Sequence, residues 1–524
     1  MRASPALLAL LFASPLLAGD WPMWGRDPSR NMVAPADEKN LPTDLSIEPN
    51  APNLKWSARL GTASYGNPVA ARGRVLVGTN NEPPHDKRLP NDRAVLLCLD
   101  ESTGKLLWQL AIPKLGDPDQ DFEGAGLACS PTIDPAADRV YLVTNRCEVL
   151  CLDLQGLSNG NDGPFTDEAH YLADADHPPI KLAATDADIL WRYDMRKELG
   201  VAPLFQTAGS VLIVGDRLYL STCNGHDPQI TRPAPDAPQL ICLDKTTGKL
   251  LGQERSDISK RLYYGNWSSP SYGEVDLSNP PPPTNGSPAA PPRDHSASTP
   301  KQPAIFFGAG DGFCYAFDPT PTPEGTLKEI WRFDCNPPDH KTTPQGKPYK
   351  YQSSKGPSEI IATPVFHNNR VYVAVGQEPA GGDGIGCLNC IDPTQSGDVS
   401  KTAKLWSNPT IGHSLSTAAV TDDGLLFLPE LSGKFYCFDA NTGQILWDHD
   451  TGSETWGSFL VADAKAYVAN KSGTLTIFSA TRDKKLLAEV AFNGEIYSTP
   501  IVANGTLYVC TDKYLHAFSA NHPK

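Results

Sequence analysis

The sequence predicts an all-β fold, an eight-bladed β-propeller of four-stranded blades. Three observations predict it: a short unit recurs along the chain, no stretch sustains a 3.6-residue apolar period, and 49 prolines in 524 residues leave little room for long helices. The unit is clearest in LCLDESTGKLLW (97–108), ICLDKTTGKLLG (241–252) and YCFDANTGQILW (436–447). Each copy reads as an alternating strand, an Asp/Gly turn and a second strand that, in two of the three, ends in tryptophan. Degenerate copies carry Trp191, Trp331 and Trp406, and two late copies lack both aspartate and tryptophan.

Upstream of each unit stands a small polar anchor, often followed by proline, that opens a β-rich segment: Asn67, Ser130, Ser210, Ser269, Thr363, Thr417, Ser458 and Thr499. Eight anchors predict eight blades. The spacing from 417 to 458 and from 458 to 499 is 41 residues, enough for four short strands with tight turns. The last unit has material for three strands, whereas LKWSARL (54–60) precedes the first anchor as an orphan strand carrying Trp56. Pairing the two closes the ring and removes both exposed edges.

The N-terminus, Met1-Arg2 followed by an apolar run over residues 6–17 and small residues Ala18 and Gly19, has the layout of a signal peptide over 1–19. The expected organisation is therefore signal peptide 1–19, leader 20–53 and a single propeller domain 54–524 in an exported protein, periplasmic or secreted. No cysteine follows the apolar run and no other run approaches membrane length, so neither a lipid anchor nor a membrane span is expected. A net charge of −15 without a basic stripe disfavours nucleic acid. Of twelve cysteines, Cys98, Cys151, Cys242, Cys390 and Cys437 fall in a repeat slot that Ala316 also fills, a small buried strand position. The others, including Cys129, Cys147, Cys223 and Cys387, are left as possible disulfide partners.

The unit x-D-x-x-T-G-x-x-x-W resembles the repeat of the PQQ-like, or quinoprotein alcohol dehydrogenase-like, β-propeller family of exported bacterial proteins. The resemblance spans nearly the whole mature chain. It implies that Trp56, Trp108, Trp191, Trp331, Trp406 and Trp447 pack between blades. It also implies two functional outcomes, a dehydrogenase using pyrroloquinoline quinone and calcium, or a non-catalytic member such as the outer-membrane barrel-assembly lipoprotein. In the enzymes of the family adjacent cysteines cover the quinone and a tryptophan floors it. This chain has no Cys-Cys pair, nor a C-x-x-C-H haem motif.

Two loops offer oxygen donors to a cation. DPDQDFEG presents Asp117, Asp119, Asp121 and Glu123, a candidate Ca²⁺ set with Phe122 where an EF-hand requires glycine; NGNDGPF (159–165) is the weaker candidate. Sorting insertions by face places 80–93, 112–124, 224–238, 336–354 and 377–386 on one end of the ring, and 155–189 and 274–303 on the other. Residues just before the anchors should line the channel mouth on the first end: Tyr65, Asn266, Trp267, His413, Trp456 and Tyr497, with Asn67 itself. Their mixture of aromatic surface and hydrogen-bonding groups suits a protein, peptide or small ligand. The expectation is a non-catalytic binding or scaffold protein acting through this face, the alternative being a quinone-dependent dehydrogenase with a divergent site.

Overall fold

The computed structural model describes residues 19–174, 177–227, 229, 231–282, 301–351 and 353–520. Residues 1–18 of the expected signal peptide and 283–300 of the proline-rich insertion lie outside the described residues. The strands form eight antiparallel sheets, each with four consecutive ladder-paired strands. Blade 1 runs from Val69–Ala71 through Arg74–Asn80 and Arg93–Asp100 to Leu106–Pro113. Blades 2 to 7 begin at Thr132–Asp134, Leu212–Val214, Ser271–Val275, Val365–His367, Ala419–Val420 and Leu460–Ala462. Blade 8 takes Ile501–Ala503, Thr506–Cys510 and Tyr514–Phe518 from the C-terminus and Leu54–Arg59 from the N-terminus, with Ser57 opposite His516. The ring is thus closed as the orphan strand predicts.

Burial explains the residue choice. Middle strands such as Glu148–Asp153 are buried at every position, because neighbouring blades cover both faces, and they read as continuous apolar runs rather than alternating ones. Outer strands such as Ile445–Asp450 alternate, since one edge meets solvent. Proline follows five anchors, at the start of the innermost strand, where a missing N–H breaks no ladder bond.

The six repeat tryptophans join the blades. Each indole N–H donates to a backbone carbonyl of the next blade: Trp56 to Glu101 at 3.0 Å, Trp108 to Leu154 at 2.9 Å, Trp191 to Lys245 at 3.3 Å, Trp331 to Pro393 at 3.2 Å, Trp406 to Ala440 at 3.1 Å and Trp447 to Thr481 at 3.2 Å. The acceptor follows the repeat aspartate directly in five of these pairs. The glycine of the same turn is held at positive φ with the previous blade's indole against it: a Cβ on Gly104, Gly248 or Gly443 would lie within 2.6 Å of Trp56, Trp191 or Trp406. This is why the motif reads T-G before the strand and W at its end. Blade 3 has Gly252 in the tryptophan position, and Pro321 from blade 4 occupies the space instead.

The connections between strands three and four do a second task. Those of blades 4 and 5 each lay a two-residue strand, Thr326–Leu327 and Gly397–Asp398, parallel against the outer edge of the preceding blade. The long connection of blade 2 does the same with a bridge from Asp186 to Gln109. Edge strands are thereby covered. The sequence-based assignment of 155–189 to the second end of the ring is corrected here: the insertion climbs the outside of blade 1 until Asp186 and Asp174 meet Arg88 and Arg93, the first at 2.7 Å and the second at 2.7 Å.

All twelve cysteines are free, buried thiols, so Cys129, Cys147, Cys223 and Cys387, left open as disulfide partners, do not pair. Cys129 and Cys147 donate to the carbonyls of Gly209 at 3.3 Å and Thr222 at 3.4 Å, and burial pushes Cys129 up to about 12. Among the described residues no helix is long and apolar enough to cross a membrane.

Candidate functional site

The eight anchors meet around the central channel, and all eight line one cavity of about 670 Å³. Six of their backbone N–H groups donate to the side chain of another anchor. Asn67 bonds Ser130 at 2.9 Å, Ser210 bonds Ser269 at 2.9 Å, Thr363 bonds Thr417 at 3.2 Å, Thr417 bonds Ser458 at 2.9 Å, Ser458 bonds Thr499 at 2.7 Å, and Thr499 bonds the Asn67 carbonyl oxygen at 2.6 Å. The innermost strands have no further strand on their inner edge. A small side chain with an acceptor oxygen satisfies the exposed amide of the neighbouring blade, and this is the physical reason for Ser, Thr or Asn at the anchor.

The leader closes the cavity from the opposite end. It circles inside the channel, bonding the residue three after the anchor in six blades: Trp21 pairs with Ala70, Ile133 N–H donates to Pro22, Tyr272 N–H to Pro28, Phe366 N–H to Ser29, Val420 N–H to the Asn31 side chain, and Val461 N–H to Met32. Blade 3 is held by Arg30. This guanidinium is fully buried, donates to the carbonyls of Trp24 at 2.6 Å, Pro270 at 3.0 Å and Val211 at 3.0 Å, and is pulled down by burial to about 9. Trp24 donates to Thr363 Oγ1 at 3.1 Å and faces the cavity as its floor. The channel is therefore a blind cup rather than a pore.

The rim is aromatic on two sides. Tyr65 lies over Trp456 with centroids 6.0 Å apart and planes 21° apart, and Tyr497 packs 4.9 Å from both. On the other side stand Phe122, Phe205 and Trp267, with Phe122 edge-on to Phe205 at 6.4 Å and Trp267 donating to the Gln206 carbonyl at 3.1 Å. Phe122 is 55% exposed. Burial and the Glu495 carboxylate raise the Tyr65 hydroxyl.

Of the residues expected at the mouth, Tyr65, Asn67, Trp267, Trp456 and Tyr497 line the cup. Two are not brought there. Asn266 is fully buried behind the wall, its amide donating to Gln239 Oε1 at 2.8 Å, and His413 is buried in blade 5–6 packing with Nδ1 3.0 Å from the Gly382 carbonyl. Asn67 is committed to the belt. The acidic loop is not gathered about one point: Asp121 is buried and paired with Lys114 at 2.8 Å, and Asp117 accepts from the Asp119 amide and the Gln120 side chain within its own turn. Sequence reasoning missed Trp24, Phe122 and Phe205. Trp24 stood in a leader whose role only the closed ring defines, and Phe122 was read as a broken calcium loop rather than as a rim aromatic.

The cup does not fit pyrroloquinoline quinone, which is a tricarboxylate. Its charged lining residues are Glu378, Glu454 and Lys471, and Lys471 is 3.0 Å from Glu454. Much of the wall's hydroxyl and amide capacity is used in the belt. Trp24 supplies an aromatic floor, but among the described residues the oxygens that could gather around one metal ion lie on blade 2, at the neck of its insertion, and not in the cup.

These features define a PQQ-like repeat β-propeller. The family model described as outer membrane protein assembly factor BamB matches residues 46–254, 339–449 and 386–485, more than half of the chain, and the protein belongs to this family. No curated protein matches the chain by sequence. Among solved structures, BamB from Moraxella catarrhalis superposes with a TM-score of 0.52 at 13% identity, covering 89% of this chain and 99% of that one. The quinohemoprotein alcohol dehydrogenase from Comamonas testosteroni gives 0.49 at 12% identity, covering 97% and 81%. At 13% identity the likeness to that BamB is one of fold.

Proposed function

We propose that this protein is an exported, non-catalytic binding or scaffold protein that takes a peptide segment of a partner protein, or a small apolar ligand, into the cup. The observation that carries the reading is the cup's construction: a floor sealed by the leader, a wall of largely self-satisfied small polar groups, and two facing banks of aromatic side chains at the mouth. Such a site rewards burial of apolar surface and offers little fixed charge for chemistry. The N-terminal signal pattern and the name of the matching family support export.

Panning a random peptide library against the purified protein tests this. Binders should be enriched in aromatic and aliphatic anchors and should lose at least tenfold in affinity against Tyr65→Ala and Trp456→Ala. Peptides that bind both variants as well as the parent place recognition elsewhere. Quinone-dependent dye reduction after adding pyrroloquinoline quinone and Ca²⁺, across an alcohol and sugar panel, overturns the non-catalytic reading.

A further inference from the structure

In blades 1, 3 and 6 the repeat aspartate closes its own turn: Asp100, Asp244 and Asp439 each accept from the backbone amide of a threonine three residues on, at 2.9, 2.8 and 3.1 Å. Blade 2 has no such turn. After Asp153 the chain leaves in the insertion 155–189 and returns at Asp188, whose carbonyl accepts from the Asp153 amide at 3.0 Å. The stretch NGNDG folds back onto this neck, so that the Asp162 amide donates to Asp188 Oδ2 at 3.1 Å. Gly163, at φ +85°, lies against Leu190, where a Cβ would come within 2.9 Å of backbone.

Three carboxylates meet as a result. One oxygen from each of Asp153, Asp162 and Asp188 lies within 4.8 Å of the other two. Asp188 is fully buried, and its Oδ1 has no hydrogen-bond donor. Asp153 is 5% exposed; its Oδ2 pairs with Arg139 at 2.9 Å and its Oδ1 accepts from the Gln155 amide at 2.7 Å. Glu168, also fully buried, stands behind, accepting from the Ile189 amide and the Asn161 side chain. A buried carboxylate oxygen without a donor, beside two more carboxylates, is costly unless a proton or a cation completes it, and a cation serves all three at once.

We infer that the neck of the blade 2 insertion is a Ca²⁺ site held by Asp153, Asp162 and Asp188. Three observations fit Ca²⁺. All three donors are oxygen. Their oxygens, all within 4.8 Å of one another, fit inside the span of two Ca–O bonds of about 2.3–2.6 Å each, and Ca²⁺ tolerates an irregular shell where Mg²⁺ demands a near-ideal octahedron. Asp162 is on the exposed side, which leaves room for the waters that fill an incomplete calcium shell. The ion fastens the root of an insertion whose Asp186 and Asp174 grip Arg88 and Arg93, and so stiffens one wall of the decorated end. The site lies outside the cup and is independent of the function proposed for it.

The test uses the full mature chain stripped with EGTA and titrated calorimetrically with CaCl2 in the absence of any quinone. The expected result is one ion per chain with a Kd of about 1 mM or tighter. Asp162→Asn, a substitution at an exposed position, should weaken binding at least tenfold with an unchanged circular dichroism spectrum, and Mg²⁺ should bind more weakly than Ca²⁺. Limited proteolysis provides a second readout: Ca²⁺ should slow cleavage within 155–189 in the parent and not in Asp162→Asn. Absence of binding up to about 10 mM, or binding and protection undiminished in Asp162→Asn, overturns the assignment.

Discussion

Gly104 and Gly73 have nearly the same backbone conformation, φ +69° and +74°, in blade 1 turns, yet very different surroundings. Nothing lies within 4 Å of a Cβ added to Gly73, whereas one added to Gly104 falls 2.6 Å from two ring atoms of Trp56. An alanine at either site meets the left-handed penalty of about 1–2 kcal/mol, offset in part by about 0.4–1 kcal/mol from a stiffer unfolded chain. Gly73→Ala should therefore cost about 1 kcal/mol. Gly104→Ala must also push an indole that is buried and bonded to Glu101, adding about 1–3 kcal/mol of overpacking at the blade that closes the ring. The assay is urea unfolding followed by circular dichroism, with each glycine variant made in the parent and in a Trp56→Ala background. The excess cost of Gly104→Ala over Gly73→Ala should be about 2 kcal/mol in the parent and fall toward zero once the indole is gone. Equal costs at the two glycines, or an excess that survives Trp56→Ala, would refute the stacking account of the T-G position.

Three further outcomes are expected. Trp108→Phe keeps much of the ring but orphans the buried Leu154 carbonyl, so it should destabilise by about 1–3 kcal/mol in the same unfolding assay. Glu359 is fully buried, accepts from the Tyr351 hydroxyl at 2.9 Å and the Glu378 amide at 3.0 Å, and is raised by burial to about 8. Its folded pKa lies above its ordinary value of 4.5, so the folded state holds a proton that the unfolded chain has already released. That contribution to stability is complete below about pH 4.5 and is lost as pH rises toward 8; Glu359→Gln should flatten this part of the pH–stability profile, measured by thermal melts. Because all twelve cysteines are free and buried, a thiol reagent should label essentially none in the native protein and all twelve in denaturant, and dithiothreitol should leave the melting temperature unchanged. Substantial native labelling would contradict the packing of the inner strands.

How much was legible in advance follows from the range of the interactions concerned. The anchor, the Asp/Gly turn and the tryptophan each report a contact that every blade must make with its neighbour, so they recur in register and can be read from one chain. The same repetition exposed the closing strand around Trp56. Asn266 and His413 were misplaced because proximity to an anchor in sequence fixes height along the channel but not which way a side chain turns, and Gln239 and the Gly382 carbonyl draw these two into the wall.

The sequence by itself therefore determined the number of blades, their order, the manner of closure and the Tyr65, Trp456 and Tyr497 bank of the rim, because these depend on a local pattern repeated eight times. Tertiary structure alone decided what is not repeated. Trp24 and Arg30 belong to a leader with no partner until the ring exists around it, and only then does the channel become a cup. Phe122 and Phe205 reach the rim from separate, non-repeating loops. Asp153, Asp162 and Asp188 are separated by 9 and 26 residues along the chain, and nothing in their spacing says that the insertion's neck folds them together.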